Sequence, residues 1–220
     1  MNLWTHLAAC SFIETEHAFL RPIVFEDAGA LYKIASNPEN TQFIFPTEAS
    51  LEESEYVIAN FFMKNPLGIW AICHKETQEM IGSVKFEKMD EIKKEAELGY
   101  FLRQDYWGRG LMTEIVREIA FLSFTRFGFK RLSIITHAEN LASQKVAQKS
   151  GFSLYRQFKG SDRYTRKMRG SVSAVFQTIW ESAMVRPIEL SRKRRTAVLL
   201  RPGLGVVRFG LSPRKLFWSI

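Results

Sequence analysis

The sequence predicts a mixed α/β fold, and two strand-to-helix units in the middle of the chain carry that prediction. A strand-like run, Ala96–Leu102, leads through a glycine-containing turn into an apolar helical pattern that begins at Leu111. A second buried strand, Lys130–Thr136, is followed at once by a shorter helical segment with a C-cap at Gly151. Upstream, two more strand-like runs are joined by the polar segment Lys75–Glu79, which is typical of a hairpin.

The other elements are predicted in chain order from periodicity and end signals. Residues 1–14 have no clear period and are interpreted as a loosely packed leader. A helix is predicted to open at Glu26 and to end before Pro38, and a second to begin after the N-cap Ser50 and to run to about Lys64. Strands are predicted at Thr15–Val24, Ile69–His74, Met80–Phe86, Ala96–Leu102, Lys130–Thr136, Phe152–Phe158 and Val172–Phe176.

Charge is unevenly distributed along the chain. The net charge is +8, but residues 156–220 hold 15 Lys and Arg against 3 Asp and Glu, a net +12. The preceding residues therefore carry 16 basic and 20 acidic side chains, a net −4. The mixed-sign segment Lys88–Glu95 is interpreted as a solvated turn. Nucleic-acid binding is therefore not expected except through the basic tail.

Composition excludes several other classes of protein. The two cysteines, Cys10 and Cys73, form neither a disulfide framework nor a metal pattern, and the four histidines show no metal-ligand spacing. The chain has no apolar run of about 18 residues, so no membrane span is expected. The first twelve residues lack the basic and apolar regions of a signal peptide. We therefore expect a cytoplasmic protein without a metal site.

The turn between the fourth predicted strand and its helix has the character of a phosphate-binding site. Gly108 and Gly110 lie two residues apart and let the backbone approach a bulky group closely. The helix that starts at Leu111 offers unpaired N–H groups and the positive end of its dipole, and Arg109 adds a mobile positive charge. A glycine pair before a helix is also compatible with a plain tight turn, so the assignment depends on the second strand-to-helix unit.

The second unit supports the phosphate-binding interpretation. The segment Glu139–Phe152 reads E-N-L-A-S-Q-K-V-A-Q-K-S-G-F and comes directly after the fifth predicted strand. Together with W-G-R-G-L-M-T-E at Trp107–Glu114, it resembles the GNAT family of acyl-CoA-dependent N-acetyltransferases, most closely the RimJ/RimL-type branch. The resemblance covers about three-quarters of the chain, and the order and spacing of the two motifs are specific.

The resemblance implies the fold and the domain plan. A GNAT fold is a mixed, mostly antiparallel sheet of about six to seven strands, with helices on both faces and with strands four and five splayed apart. We expect residues 1–14 to be the leader, 15–176 the acetyltransferase domain and 177–220 a basic extension without sustained periodicity. In the family, the aromatic segment Asn40–Pro46 would line the acceptor channel, although an apolar loop that fills the core fits equally well.

The resemblance also implies acetyl-CoA as the co-substrate. Its pyrophosphate would lie on the backbone of Arg109–Thr113, the phosphate turn, and its pantetheine arm would pair with the backbone of the fourth strand. Asn140 would hold the arm from the other side, and Ser143 would lie near the cofactor sulfur. The predicted cofactor-binding residues are Phe101, Leu102, Arg103, Gly108, Arg109, Gly110, Leu111, Met112, Thr113, Asn140 and Ser143.

The catalytic groups depart from the family pattern. The glutamate that many relatives carry on the fifth strand is Ile135 here, and the tyrosine that they carry on the helix after it is Ala147. Glu97 on the fourth strand is the best substitute base, although a surface carboxylate paired with a lysine is the competing interpretation. His137 is an alternative base. Ser143 is the candidate donor of a hydrogen bond to the leaving thiolate.

The sequence therefore predicts an acetyl-CoA-dependent N-acetyltransferase that works by direct transfer in a ternary complex. The branch resemblance implies an α-amino acceptor, such as the N-terminus of a ribosomal protein. A small amine such as an antibiotic or a polyamine remains open, as do a CoA-binding module without catalysis and an RNA- or ribosome-docking role of the basic tail. A homodimer is also compatible with the resemblance.

Overall fold

The structure confirms the predicted fold class. It is a computed structural model, and it describes residues 2–44, 47, 50–160 and 171–179. The strands are β1 (Ile13–Glu14), β2 (Ala18–Arg21), β3 (Ile69–His74), β4 (Met80–Asp90), β5 (Glu95–Leu102), β6 (Arg131–His137), β7 (Ser153–Gly160) and β8 (Ser171–Ile179). The helices are α1 (Leu3–Ala9), α2 (Ala28–Ala35), α3 (Pro38–Thr41), α4 (Leu51–Val57), α5 (Leu111–Thr125) and α6 (Leu141–Lys149).

The eight described strands form one sheet in the order β1-β2-β3-β4-β5-β6-β8-β7. Every neighbouring pair is antiparallel except β5 and β6, which are parallel. These two strands pair only over Glu95–Leu98 and Arg131–Ile134. Beyond Leu98, β5 pairs with β4 alone, and β6 continues along β8. The fourth and fifth predicted strands, β5 and β6, therefore part at Gly99, as expected for the splay.

Helices cover both faces of the sheet. In the first core, helices α1, α5 and α6 pack against the sheet face that carries Leu98 and Leu102. In the second core, α2 and the segment after α4 pack against the opposite sheet face, which carries Phe101. Alternation along β5 thus divides its side chains between the two faces, with even-numbered residues on the α5 face and odd-numbered residues on the α2 face. This division decides on which face each catalytic candidate lies.

The N-terminal segment is better ordered than the sequence predicts. Residues 3–9 form α1, which Asn2 caps by accepting a hydrogen bond from the Thr5 N–H at 2.9 Å. Leu3 and Leu7 are buried in the α5-side core, and the indole of Trp70 donates to the Cys10 carbonyl at 2.9 Å. The expectation of a loosely packed leader is therefore wrong. Only two apolar residues mark the buried face of so short a helix, which is too few for a visible period.

Two strand limits also differ from the predictions. Strand β4 runs on through Asp90 past a register shift between Phe86 and Lys88, so the charged segment after Phe86 begins inside the sheet. Strand β8 runs through Ile179 and pairs with β6 to that point. The predicted domain limit at 176 therefore falls inside a strand. The predicted extension beyond 179 lies outside the described residues, among which no helix is both long and apolar enough to cross a membrane.

Candidate active site

The turn between β5 and α5 has the conformation that its glycines permit. Gly108 and Gly110 have φ values of 75° and 82°, in the left-handed region that other residues rarely adopt. Gly110 is the N-cap of α5 and supplies no side-chain cap, and the Glu114 N–H is bonded to the Gly110 carbonyl at 3.1 Å. The N–H groups of Leu111–Thr113 precede the first intrahelical bond, as at the start of any α-helix. The N-terminal end of α5 therefore offers donors to an anion.

The surroundings of this turn leave room for a pyrophosphate. A Cβ built on Gly108 or Gly110 would meet no heavy atom within 4 Å, so the turn opens toward solvent. Arg109 is exposed, and its guanidinium lies 5.3 Å from the ring centroid of Tyr106. An exposed cation beside backbone donors at a helix start suits a phosphate group. The residues present therefore fit the phosphate end of CoA.

The end of β5 is fastened to this turn. The indole N–H of Trp107 donates to the Leu102 carbonyl at 2.7 Å. The Arg103 side chain bonds Asp105 at 2.8 Å and Glu79 at 3.2 Å, and these contacts raise its pKa. The indole hydrogen bond gives Trp107 a local structural role at the start of the turn. The turn is thereby held in register with the strand that leads into it.

The gap between β5 and β6 exposes alternate backbone groups of β5. The Arg103 N–H donates to the Ile81 carbonyl at 2.8 Å, so it faces β4. Because N–H groups alternate in direction along a strand, those of Tyr100 and Leu102 face the gap. Of the predicted residues Phe101, Leu102 and Arg103, Leu102 is thus the one whose N–H can pair with an added strand-like arm. Phe101 and Arg103 would border the arm without donating to it.

The start of α6 lies beside this gap. The Asn140 side chain accepts a hydrogen bond from the Ser143 N–H at 3.0 Å and caps the helix. The Ser143 hydroxyl lies 3.0 Å from the hydroxyl of Tyr100 on β5. No sequence pattern assigned a role to Tyr100. Strand alternation alone could have placed it on the face opposite Glu97, but the contact with Ser143 depends on how α6 packs on the sheet.

The candidate base Glu97 lies on the other face. Glu97 shares the odd-numbered face of β5 with Gly99 and Phe101, as strand alternation predicts. It is buried, and its carboxylate lies 3.9 Å from the ammonium of Lys88, its cross-strand partner. The competing interpretation was a surface carboxylate paired with a lysine. The lysine is present, but the carboxylate is buried and does not lie on the surface. Glu97 and Ser143 approach the splayed strands from opposite faces of the sheet.

A second carboxylate lies on the Glu97 face. A Cβ on Gly99 would come within 2.5 Å of the Glu87 carboxylate, so Glu87 lies directly over this glycine. Lys85 holds Glu87 at 3.2 Å. Sequence reasoning missed Glu87 because it placed the end of the third strand at Phe86. No alternation in the sequence marks Glu87, because the register of β4 shifts between Phe86 and Lys88.

The alternative base His137 is poorly oriented for the role. Its Nδ1 accepts a hydrogen bond from the Glu139 N–H at 3.2 Å, so in the neutral ring the proton is on Nε2. The ring stacks on Phe43 at 5.3 Å, so part of the segment predicted to line the acceptor channel reaches the end of β6. Neither nitrogen then presents a free lone pair to an amine. Glu97 is the better placed of the two candidates.

Comparisons with known proteins agree with this geometry. Residues 17–153 match the family described as Acetyltransferase (GNAT) domain. The uncharacterized N-acetyltransferase YoaA of Bacillus subtilis is 28% identical over 144 residues, which cover 64% of this chain and 81% of that protein. The ribosomal-protein-serine acetyltransferase of Escherichia coli is 28% identical over 76 residues, which cover 34% of this chain and 42% of that protein.

A solved structure with a bound cofactor shows the same fold. RimL, a ribosomal L7/L12 alpha-N-protein acetyltransferase crystallised with coenzyme A, aligns with a TM-score of 0.67 and 20% identity. The alignment covers 76% of this chain and 97% of that one. The family match spans more than half of the chain and includes both strand-to-helix units. The chain therefore belongs to the GNAT family and is an acetyl-CoA-dependent N-acetyltransferase.

Proposed function

We propose that this enzyme acetylates an α-amino group, such as that of a protein N-terminus. The observation that carries the proposal is that the site has no strongly placed general base. Ile135 occupies the position where many family members have a glutamate, and the Glu97 carboxylate lies 3.9 Å from the Lys88 ammonium. A weakly assisted site suits an amine that is already partly neutral. At pH 7 roughly 10% of an α-amine is unprotonated, against roughly 0.05% of a lysine or a similar alkyl amine.

The carboxylate acceptors on the α2 face support an amine that enters from that side. Glu87 and Glu97 both lie on this face, next to the point where β5 and β6 part. Lys85 and Lys88 balance the charges of these carboxylates, and the carboxylate oxygens can still accept a hydrogen bond from an ammonium group. The similarity to a ribosomal-protein-serine acetyltransferase and to RimL also supports an N-terminal acceptor. Such an acceptor agrees with the cytoplasmic location that we expect.

The cysteines support direct transfer in a ternary complex. The Cys73 thiol is buried, and burial raises its pKa to about 11. A thiol in that state is a poor nucleophile at neutral pH. Cys10 is the C-cap of α1, and α1 packs on the opposite face from Glu97. Neither cysteine of the chain is thus placed to carry an acetyl group from the thioester to the amine.

In this proposal the two faces of the sheet divide the work. The α5 turn and the Leu102 backbone hold acetyl-CoA in the gap, and the α2 face admits the amine. Glu97 takes a proton from the amine, directly or through a water. Ser143 donates a hydrogen bond to the sulfur as the thiolate leaves. The N–H of a β5 residue that faces the gap would polarise the thioester carbonyl.

A thiol-release screen with matched acceptors tests the proposal. One peptide has a free N-terminus and no lysine, and its control has a blocked N-terminus and a single lysine; spermidine represents small amines. We expect release of CoA with the first peptide and an acetyl group that mass spectrometry places on its N-terminus. Release with spermidine alone would assign the enzyme to small amines. Acetyl-CoA binding without release from any acceptor would favour the binding module.

A further inference from the structure

The contact between Tyr100 and Ser143 has no role in the proposed function. The Tyr100 hydroxyl lies 3.0 Å from the Ser143 hydroxyl and 3.3 Å from the Ser143 carbonyl oxygen. Tyr100 is the second residue of β5 beyond the last pair with β6, so it lies where the gap opens. Its ring packs against the α5-side core, and Asn140 fixes the backbone of Ser143. Both hydroxyls are thus held in place beside the gap.

These distances allow two arrangements of the hydroxyl protons. A carbonyl oxygen can only accept, so the 3.3 Å contact requires Tyr100 to donate to it. Ser143 can then donate to the Tyr100 oxygen, and its own proton is occupied. In the second arrangement Tyr100 donates to the Ser143 Oγ, and the serine proton can point into the gap. Rotation of the two hydroxyl groups about their C–O bonds interconverts the arrangements without movement of a heavy atom.

We propose that Tyr100 is a positioning residue that turns the Ser143 proton toward the cofactor sulfur during acetyl transfer. This inference rests on the proposed role of Ser143 in that reaction. The acceptor nitrogen forms a bond to the acetyl carbon, and the C–S bond breaks with its electron pair going to sulfur. The nitrogen loses its proton to Glu97 or to solvent. Ser143 donates a hydrogen bond to the thiolate, and Tyr100 donates to Ser143 but keeps its proton.

The environment of Tyr100 fits a group that donates without ionising. Burial raises the pKa of its hydroxyl to about 12, so it stays protonated at every working pH. A hydroxyl that accepts one hydrogen bond becomes a better donor for the next, because bonds in a chain polarise one another. The Tyr100–Ser143 chain therefore gives the thiolate a stronger donor than an isolated serine.

A purely structural role is the competing explanation, because the same contact joins α6 to β5. That role would make removal of the Tyr100 hydroxyl lower the melting temperature and the acetyl-CoA affinity. In that case the substitutions of Tyr100 and Ser143 would lower kcat by factors that multiply in the double variant. The positioning role requires instead that loss of the hydroxyl lowers kcat only while Ser143 keeps its own hydroxyl.

A double-mutant cycle separates the two roles, with CoA thiol release as the assay. Tyr100→Phe keeps the packed ring, and we expect it to lower kcat about 3- to 10-fold, the effect of one neutral hydrogen bond, with an unchanged KM for acetyl-CoA. Added to Ser143→Ala, it should change kcat by less than about 1.5-fold. Added to Ser143→Thr, which keeps the hydroxyl, it should again cost several-fold. Tyr155→Phe removes an exposed hydroxyl on β7 and serves as the control.

Three results would overturn the proposal. They are an unchanged kcat in Tyr100→Phe, equal losses in the wild-type and Ser143→Ala backgrounds, and a rise in KM that accounts for the whole effect. If thiol release occurs only with a small amine, the cycle is run with that amine. The α-amino acceptor then fails, while the role of Tyr100 is still decided by the same comparison. Melting temperatures of all variants show whether each one is folded.

Discussion

The two strand-to-helix junctions beside the gap are built in opposite ways. At the start of α5, Gly110 takes a left-handed conformation and supplies no side-chain cap, so the first N–H groups face outward. At the start of α6, Asn140 bonds the Ser143 N–H at 3.0 Å, so that helix end is already satisfied. The first junction can bind an anion, and the second holds a hydroxyl in a fixed place. We therefore expect the first junction to serve binding and the second to serve chemistry.

The largest expected effect separates chemistry from binding at the second junction. Ser143→Ala should lower kcat by about 10- to 1000-fold, the range for loss of one transition-state hydrogen bond. Its affinity for acetyl-CoA should stay within a few-fold, because the phosphate turn is untouched. Steady-state kinetics and calorimetry of the same preparation measure both quantities. An equal loss of affinity and turnover would mean that the second junction also serves binding.

The opposite face gives a pH-dependent effect. Glu97→Gln should slow acetylation of an α-amine mainly at low pH, where few acceptor molecules are neutral without a base. The unprotonated fraction of the α-amine limits the defect to about 100-fold at pH 6 and about 2-fold at pH 8. Measurements of kcat/KM between these pH values give the profile. A variant with the wild-type profile would remove Glu97 from the mechanism and leave Glu87, over Gly99, as the next carboxylate to test.

Asn140 tests whether the capped junction also touches the cofactor. Asn140→Asp keeps an oxygen that accepts from the Ser143 N–H but loses the amide donor. If Asn140 also holds the pantetheine arm, this change should weaken acetyl-CoA binding about 2- to 10-fold without loss of stability. Asn140→Ala should in addition lower the unfolding free energy by about 1 kcal/mol. Normal acetyl-CoA binding by Asn140→Asp would limit the residue to capping.

The smallest effect concerns the first turn of α5. The Glu114 carboxylate bonds the His17 ring at 2.7 Å, and this hydrogen bond raises the pKa of His17 above 6.5. Burial opposes ionisation of Glu114, but hydrogen bonds from Thr15 and His17 lower its pKa below 4.5. The histidine contribution to stability is complete below pH 6.5 and is lost as pH rises through its folded pKa. The glutamate contribution is complete above pH 4.5 and is lost as pH falls through its folded pKa.

The pair should therefore stabilise the fold most between about pH 4.5 and 6.5. His17→Gln should lower the melting temperature most in that window, and the difference from wild type should shrink toward about pH 9. The neighbours Glu16 and Lys75 act on the histidine in opposite directions, so Lys75→Gln is a useful second variant. Melting curves across this pH range measure the difference. A difference that does not vary with pH would exclude the ion pair as its cause.

The fold could be predicted where local signals and spacing coincide. The phosphate turn, the N-cap Ser50 and the end of α6 near Gly151 are predictable from residue types whose backbone preferences are strong. Helix α1 was missed because two buried leucines give no period. The extension of β4 was missed because charged side chains there hide the alternation. In each case packing against the rest of the chain decides the structure, and a local pattern does not record it.

The candidate site shows the same limit. The sequence places Glu97 on the Gly99 face and Ser143 near the start of α6, because both positions depend on short-range geometry. It does not show that Tyr100 reaches Ser143, since 43 residues separate them and the contact depends on how α6 packs. It also does not show that Arg103 donates its N–H to β4, since that depends on strand register. Contacts between elements required the structure.

Calorimetric titration of acetyl-CoA into a matched pair of glycine variants tests the central claim most directly. Gly110 and Gly128, at the two ends of α5, have φ values of 82° and 78°, and neither has a heavy atom within 4 Å of a built Cβ. Valine at either position should therefore cost a similar ~1–2 kcal/mol of stability through backbone strain alone. We predict that Gly128→Val binds acetyl-CoA like the wild type and that Gly110→Val binds at least about 10-fold more weakly, because the displaced backbone loses donors to the pyrophosphate. Equal affinities of the two variants would contradict the assignment of the α5 N-terminus as the phosphate site.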